Sequence, residues 1–277
     1  MRRRLDTELV RRSLARSRQH AGELIGAGAV QVGGTVALKA ASQVDQSASI
    51  KVSAADSGQT AWASRGAHKL AGALTALAER GAAPAVDGMN CLDAGASTGG
   101  FTDVLLREGA ALVHAVDVGY GLLDWRLQQD ARVKVHDRTN VRHLQTGDLT
   151  PPPALVVADL SFISLRTVLP ALVAVATDEA NYLLMVKPQF EVGRAKLPSG
   201  GVVTNPEDQI EAVAAVATAA AELGLAALDV VRSPLPGPAG NIEFFVWLAA
   251  AANPVKPALS APELNSAIRR EVQGAPQ

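Results

Sequence analysis

Four ionisable side chains fall at strand ends or in an opening helix: Lys69, Asp159, Lys187 and Glu243. Two lysines beside two carboxylates can hold a hydroxyl-bearing substrate and take its proton. A lysine serves as such a base where desolvation and a neighbouring cation lower its pKa. Methyl transfer to a ribose hydroxyl needs a base of this kind together with an in-line attack. The same spacing also suits a structural ion-pair network or plain surface lysines, so both readings stay open at this point.

A second constellation is Cys91-Leu92-Asp93-Ala94-Gly95-Ala96-Ser97-Thr98-Gly99-Gly100-Phe101-Thr102-Asp103. It reads as a buried strand, a loop of small residues and the first turn of a helix, with Asp93 at the strand end. Gly95, Gly99 and Gly100 let the backbone approach a ligand, and the helix points free N–H groups at it. The next strand, 112–116, ends in Asp117, whose carboxylate can accept both ribose hydroxyls; Gly95 and Asp117 stand 22 residues apart. Nucleotide-like ligands bind at such a crevice in open α/β sheets. A tight turn alone would need no second acidic strand end at that distance. The form Asp-x-Gly-x-x-x-Gly-Gly, with Ser97 and Thr98 inside it, looks more like a methyltransferase loop than a dinucleotide loop.

These groups need a scaffold, and the chain supplies an alternating one. Ser64 to Lys69 opens a helix running to about Arg80, with Trp62 before it as a packing anchor. Strands are expected at 133–135, 155–164, 182–186, 225–231 and 243–248, with helices across 168–175 and 206–223. Pro188 forces Lys187 towards an extended conformation and so presents it at a strand end. Residues 189–205 read as a Gly/Pro-interrupted loop. Strand and helix alternation followed by a final hairpin gives a mostly parallel sheet with an antiparallel edge pair.

The front of the chain differs. Asp6 or Thr7 can cap a short helix through Leu14, and Ser17 a second one to about Ala27. Val30-Gln31-Val32 and Thr35-Val36-Ala37 flank Gly33-Gly34, a strong hairpin signal. Residues 50–52 would add a strand. Residues 1–53 carry seven Arg and two Lys against two Asp and two Glu, a net +5 that leaves −6 for the rest. That asymmetry suggests a polyanion at the front end. The expected organisation is a small domain at 1–53, a linker at 54–63, a large domain at 64–252 and a tail at 253–277.

Composition narrows the classes. The chain has 277 residues, 48% of them apolar, enough for one large α/β domain plus a small one. The single Cys91 excludes an internal disulfide and reads as an inert core thiol. No signal peptide or spanning stretch is visible, so a cytoplasmic protein without a membrane span is expected, and no metal site.

Several blocks now match one family. They are Ser64-Arg65-Gly66-Ala67-His68-Lys69-Leu70, the Asp93 to Thr102 loop, Asp117-Val118-Gly119-Tyr120-Gly121 and Asp159-Leu160-Ser161-Phe162-Ile163-Ser164-Leu165. Val186-Lys187-Pro188-Gln189-Phe190-Glu191-Val192-Gly193 and residues 234–243 complete the set. The chain resembles the TlyA family of ribosomal RNA cytidine 2′-O-methyltransferases, also known as haemolysins. In the front segment Arg4-Leu5-Asp6, Ser17-Arg18-Gln19-His20-Ala21, Leu24-Ile25, the Gly28 to Gly34 run and Lys39 resemble the S4 RNA-binding domain.

The resemblance implies a class I Rossmann-like α/β methyltransferase fold, a seven-stranded sheet preceded by a small α+β S4-like domain. It implies S-adenosylmethionine as donor, with S-adenosylhomocysteine as product, and a catalytic tetrad of Lys69, Asp159, Lys187 and Glu243. Cofactor contacts are expected from Asp93, Gly95, Ala96, Ser97, Thr98, Gly100, Phe101, Asp117, Val118, Asp137, Arg138, Asp159 and Leu160, with Asp137 at the adenine amine. RNA contacts are expected from Arg4, Arg16, Arg18, Lys39 and Arg65. The partner would be ribosomal RNA in 30S or 50S subunits, with cytidine in 16S or 23S rRNA as acceptor. The pattern departs from the family at Leu122-Leu123, where Gln-Leu is common, and at Thr60, where relatives carry a basic residue. The rival readings are a membrane-active haemolysin, a non-catalytic RNA-binding module and an NAD-dependent enzyme.

Overall fold

The computed structural model describes residues 2–12, 14–15, 18–26, 28–37, 39–45, 48–52, 62–193, 196–252 and 254–274. The chain divides into two units, Met1–Ala61 and Trp62–Gln277. Arg16, the Ser17 cap, Thr60 and linker residues 54–61 lie outside the described residues.

In the first unit, β1 (Arg2–Arg4) leads into α1 (Leu5–Arg11) and α2 (Arg18–Gly26). Strands β2 (Val30–Val32), β3 (Thr35–Val36), β4 (Gln43–Asp45) and β5 (Ile50–Val52) follow. Gly33 and Gly34 both take positive φ, +58° and +86°, so the two-residue turn matches the strand twist. β5 pairs with β2 on the other side. Helix α1 starts earlier and stops sooner than its capping residues suggest. Arg2–Arg4 pairs antiparallel with Gln43–Asp45, which holds Arg4 extended as the N-cap. Asp6 then serves two guanidiniums as well as the Thr7 amide, taking Arg4 at 2.9 Å and Arg18 at 3.0 Å. Leu5, Leu9, Ala21, Ile25, Val30 and Val44 close the core of this unit.

The second unit runs α3 (Gly66–Glu79), β6 (Asn90–Ala94), α4 (Gly100–Arg107), β7 (Leu112–Val116), α5 (Trp125–Gln128) and β8 (Val133–His136). It continues through β9 (Leu155–Ala158), α6 (Leu165–Val175), β10 (Asn181–Val186), α7 (Pro188–Glu191), α8 (Pro206–Glu222), β11 (Leu225–Arg232), β12 (Phe244–Ala250) and α9 (Ala261–Gln273). One seven-stranded sheet has the order β11-β12-β10-β9-β6-β7-β8. The strands from β10 to β8 are parallel, and β12 runs antiparallel to both its neighbours. The parallel strands β6, β7, β9 and β10 are buried on both faces, which is why they read as near-continuous apolar runs, whereas the edge strand β8 is half exposed. One core layer joins the sheet to Leu169, Val213 and Ile268 of α6, α8 and α9. The other joins it to Leu70, Leu77, Val104 and Leu105 of α3 and α4.

Two elements depart from expectation. The strand expected over 155–164 ends at Ala158, because the chain turns through Phe162 in a left-handed conformation (φ +64°). The Ser164 hydroxyl then caps α6 by accepting from the Arg166 amide at 3.2 Å. The loop expected from Gln189 begins with the helical turn α7, started by Pro188 at its first position. The C-terminal tail carries α9, capped by a Ser260–Glu263 box, which buries Ala267, Ile268 and Val272. Trp62 lies under the Arg107 guanidinium, 4.0 Å from the ring centre. Among the described residues no helix is long and apolar enough to cross a membrane.

Candidate active site

The carboxyl edge of the sheet gathers the four ionisable groups into two ion pairs. Lys69 Nζ donates to Glu243 Oε2 at 2.5 Å, and Lys187 Nζ meets Asp159 Oδ1 at 2.6 Å. Lys187 also donates to the Ser161 hydroxyl at 3.0 Å. Lys69 is 5% exposed, Lys187 7% and Glu243 1%, so these are neither surface lysines nor solvated carboxylates. Glu243 Oε1 has no hydrogen-bond partner among the described residues, although it is buried.

Three cavities meet at this edge. The first, of about 310 Å³, is lined by Lys69, Lys187, Asp159 and the loop residues Gly95, Ala96, Ser97, Thr98, Gly100 and Phe101. Arg65 also lines it and donates to the Pro236 carbonyl at 3.2 Å. The second, of about 440 Å³, lies between Asp117, Val118 and Leu122 on one side and Leu160 to Ile163 on the other. The third, of about 650 Å³, holds the Phe162 and Phe190 rings, whose centres stand 5.3 Å apart, together with Lys187, Gln189 and Glu243. Ser161 lines all three.

The glycine loop takes its shape from close packing. At Gly95 (φ +88°) a Cβ would lie 2.8 Å from the Asp159 carbonyl oxygen, and at Gly100 it would lie 2.8 Å from the Ala67 amide. Asp117 fastens the loop from the neighbouring strand: its Oδ2 accepts from Ser97 N at 2.9 Å and its Oδ1 from Gly119 N at 2.7 Å. Each carboxylate oxygen keeps a further lone pair for a ligand hydroxyl.

Three residues expected at the cofactor do not line the 310 Å³ or the 440 Å³ cavity. Asp93 is fully buried beneath the loop and lines neither of the first two cavities. One of its oxygens accepts from the Thr102 hydroxyl at 2.7 Å, and the other has no partner among the described residues. Burial pushes its carboxyl up to about 7, against the pull of Thr102. Asp137 accepts from Gly121 N at 3.0 Å, and Arg138 lies over the Tyr120 ring at 4.3 Å. The left-handed turn at Arg138 (φ +53°) carries the chain on, so that Thr139, Asn140 and Val141 line the 440 Å³ cavity instead.

Similarity to known proteins now bears on this geometry. The family described as FtsJ-like methyltransferase matches residues 62–250, and the S4 domain matches residues 3–50. The chain is 53% identical over 273 residues to the 16S/23S rRNA (cytidine-2′-O)-methyltransferase TlyA of Mycobacterium tuberculosis, covering 99% of this chain and 98% of that protein. The chain belongs to the TlyA family of FtsJ-like methyltransferases. Hemolysin A of Brachyspira hyodysenteriae is 31% identical over 242 residues, covering 87% of this chain and 97% of that one. A solved structure from Streptococcus thermophilus, described as a hemolysin, superposes with a TM-score of 0.71 at 32% identity, covering 98% of this chain and 96% of that one.

Within this family member, sequence reasoning missed Ser161, Gln189 and the pair Phe162 and Phe190 as cavity residues. All four stand in runs singled out for Asp159 and Lys187. Spacing shows that such a run reaches the sheet edge, but not which of its side chains turns inward.

Proposed function

We propose that this methyltransferase moves a methyl group from S-adenosylmethionine to the ribose 2′-hydroxyl of a cytidine in ribosomal RNA. Its partners would be 30S or 50S subunits, or both, in the cytoplasm. The observation that carries the reading is the pair of lysine–carboxylate contacts, both lysines buried, where the three cavities meet.

The residues present fit the cofactor. Asp117 offers free lone pairs to ribose hydroxyls at a strand end. Val118, Leu122 and Ile163 wall an apolar slot for a purine, and the 440 Å³ and 310 Å³ cavities share Gly95, Ser97, Asp159 and Ser161. Gly95 keeps that shared wall thin, since a side chain there would strike the Asp159 backbone. When bound, S-adenosylmethionine supplies an electrophilic methyl group on a sulfonium.

The protein's own part is to orient and deprotonate. As the free amine, Lys187 has two N–H bonds, which Asp159 and Ser161 accept, and one lone pair, which is left for the acceptor hydroxyl. Lys187 then receives the hydroxyl proton as the ribose oxygen attacks. Lys69, fixed by Glu243, holds the ribose from the other side. The 650 Å³ cavity, with Phe162 92% exposed at its mouth, takes the acceptor base once it has left its stack.

The test is to map 2′-O-methyl reverse-transcription stops on rRNA from cells with and without the gene, and from cells carrying only Lys187→Met. Stops at one or more cytidines should vanish in both altered strains. Identical maps in all three would refute the proposal.

A further inference from the structure

The 650 Å³ cavity contains one polar atom that the mechanism does not use. Gln189 Oε1 is shut away from solvent and has no hydrogen-bond partner among the described residues. The same cavity is lined by the Phe162 and Phe190 rings, Ile163 and Leu197, which have no side-chain donor. Ser161, Ser164, Lys187 and Asn241 also line it, and none of them donates to Oε1. A buried acceptor without a donor is rare in a folded protein and asks for an explanation. Gln189 follows Lys187 by two residues, in the first turn of α7, so the amide and the lysine share one short rigid segment. Pro188 between them fixes the backbone of that segment.

We infer that Gln189 selects the acceptor base, its amide oxygen accepting from the exocyclic amine of cytosine. The inference rests on the proposed rRNA reaction and adds the choice of base to it. Cytosine carries an N4 amine beside the N3 acceptor, whereas uracil carries a carbonyl oxygen beside an N–H. The Gln189 amide meets the first pattern donor to acceptor on both sides. Against uracil, in the orientation that buries Oε1, it would set acceptor against acceptor and donor against donor. The two rings hold either pyrimidine equally well, because stacking is indifferent to the edge. Discrimination therefore falls to the amide.

The experiment uses ribosomal subunits purified from cells whose plasmid-borne rRNA carries either C or U at the mapped target. Initial rates of methyl incorporation are compared for the parent, Gln189→Met and Gln189→Ala, with S-adenosylhomocysteine binding measured for each. The parent should favour C over U by about tenfold to a hundredfold, the range of a good bidentate base contact. In both variants that ratio should collapse to about threefold or less, by loss of rate on C while the rate on U changes little. A purely structural role would slow both substrates alike and leave the ratio intact, which overturns the inference. Loss of S-adenosylhomocysteine binding in both variants, or a parent that is indifferent or prefers U, overturns it too. If no methylated cytidine is found in the mapping, the reaction itself is wrong. A mapped cytidine with an unchanged ratio sinks the base reading alone.

Discussion

Lys187 and Lys69 each hold a carboxylate, yet their removal should have different consequences. Asp159, the partner of Lys187, keeps 23% of its side chain exposed, whereas Glu243, the partner of Lys69, keeps 1%. Lys187→Met should lower methylation about 10²- to 10⁴-fold, the usual worth of a positioned base, with S-adenosylhomocysteine binding retained in calorimetry. Lys69→Met should also destabilise the fold, by about 3 kcal/mol or more, because it leaves a buried carboxylate alone. The double variant should turn over little more slowly than either single one, since the groups act as a unit. Near-parental turnover by Lys187→Met would sink the assignment of the base.

Asp93 yields a pH prediction at the same scale. Its carboxyl titrates near 7 when folded, against an ordinary value of 3.8. The folded chain therefore holds more protons between about pH 4 and 7, and its stability falls as pH rises through that window. The slope is about 1 kcal/mol per pH unit. Asp93→Asn cannot titrate, so the difference in unfolding free energy between parent and variant should shrink or change sign across the window. A constant difference from pH 4 to 8 would show that Asp93 titrates normally.

At the scale of elements, the cofactor loop depends on a strand that is not its own. Asp117, past the end of β7, holds the amides of Ser97 and Gly119 and so ties the β6–α4 loop to the loop after β7. Asp117→Ala should weaken S-adenosylhomocysteine binding about tenfold to a hundredfold and speed amide exchange in both loops, with the sheet unchanged. Asp117→Asn should fare little better, because its amide nitrogen would face a backbone N–H. Unaltered binding in both variants would remove Asp117 from the site. A similar tie steadies the wall of the acceptor cavity. The buried Glu191 of α7 accepts from Ser164 Oγ at 2.5 Å and Leu165 N at 2.7 Å, so one helix caps another across Phe162 and Ile163.

For the whole molecule, charge is divided between the units: residues 1–53 carry +5 against −6 for the remainder. We propose that the S4 unit grips rRNA while the second unit does the chemistry. Its arginines are partly committed to the fold, since Arg4 and Arg18 both bind the buried Asp6 and hold its carboxyl well below the usual range. Lys39 is exposed and offers a cleaner probe. Lys39→Ala should weaken subunit binding and reduce the salt slope by about one unit without moving the unfolding temperature. Arg18→Ala should weaken binding and lower the unfolding temperature as well. Parental affinity at every salt concentration in both variants would make the basic front a solvated face.

The sequence by itself determined the parts whose physics is local. Strand ends in Asp93, Asp117, Asp159 and Lys187 follow from apolar runs stopped by a charge, and the Gly33-Gly34 hairpin from a turn that needs two positive φ angles. The alternation of those runs with helices also fixed the parallel sheet and its antiparallel pair. Only the tertiary structure decided which strand ends meet. Lys69 and Glu243 are 174 residues apart in the chain, and they pair because β12 inserts beside β10. It also decided which side chains in a recognised run reach the cavities: Ser161 and Gln189 line them, while Asp137 and Arg138 line none of the three and contact Gly121 and Tyr120. Side-chain direction at a strand end depends on where the ladder stops and how the chain bends there. Neighbouring strands set both, and no spacing along one segment encodes them.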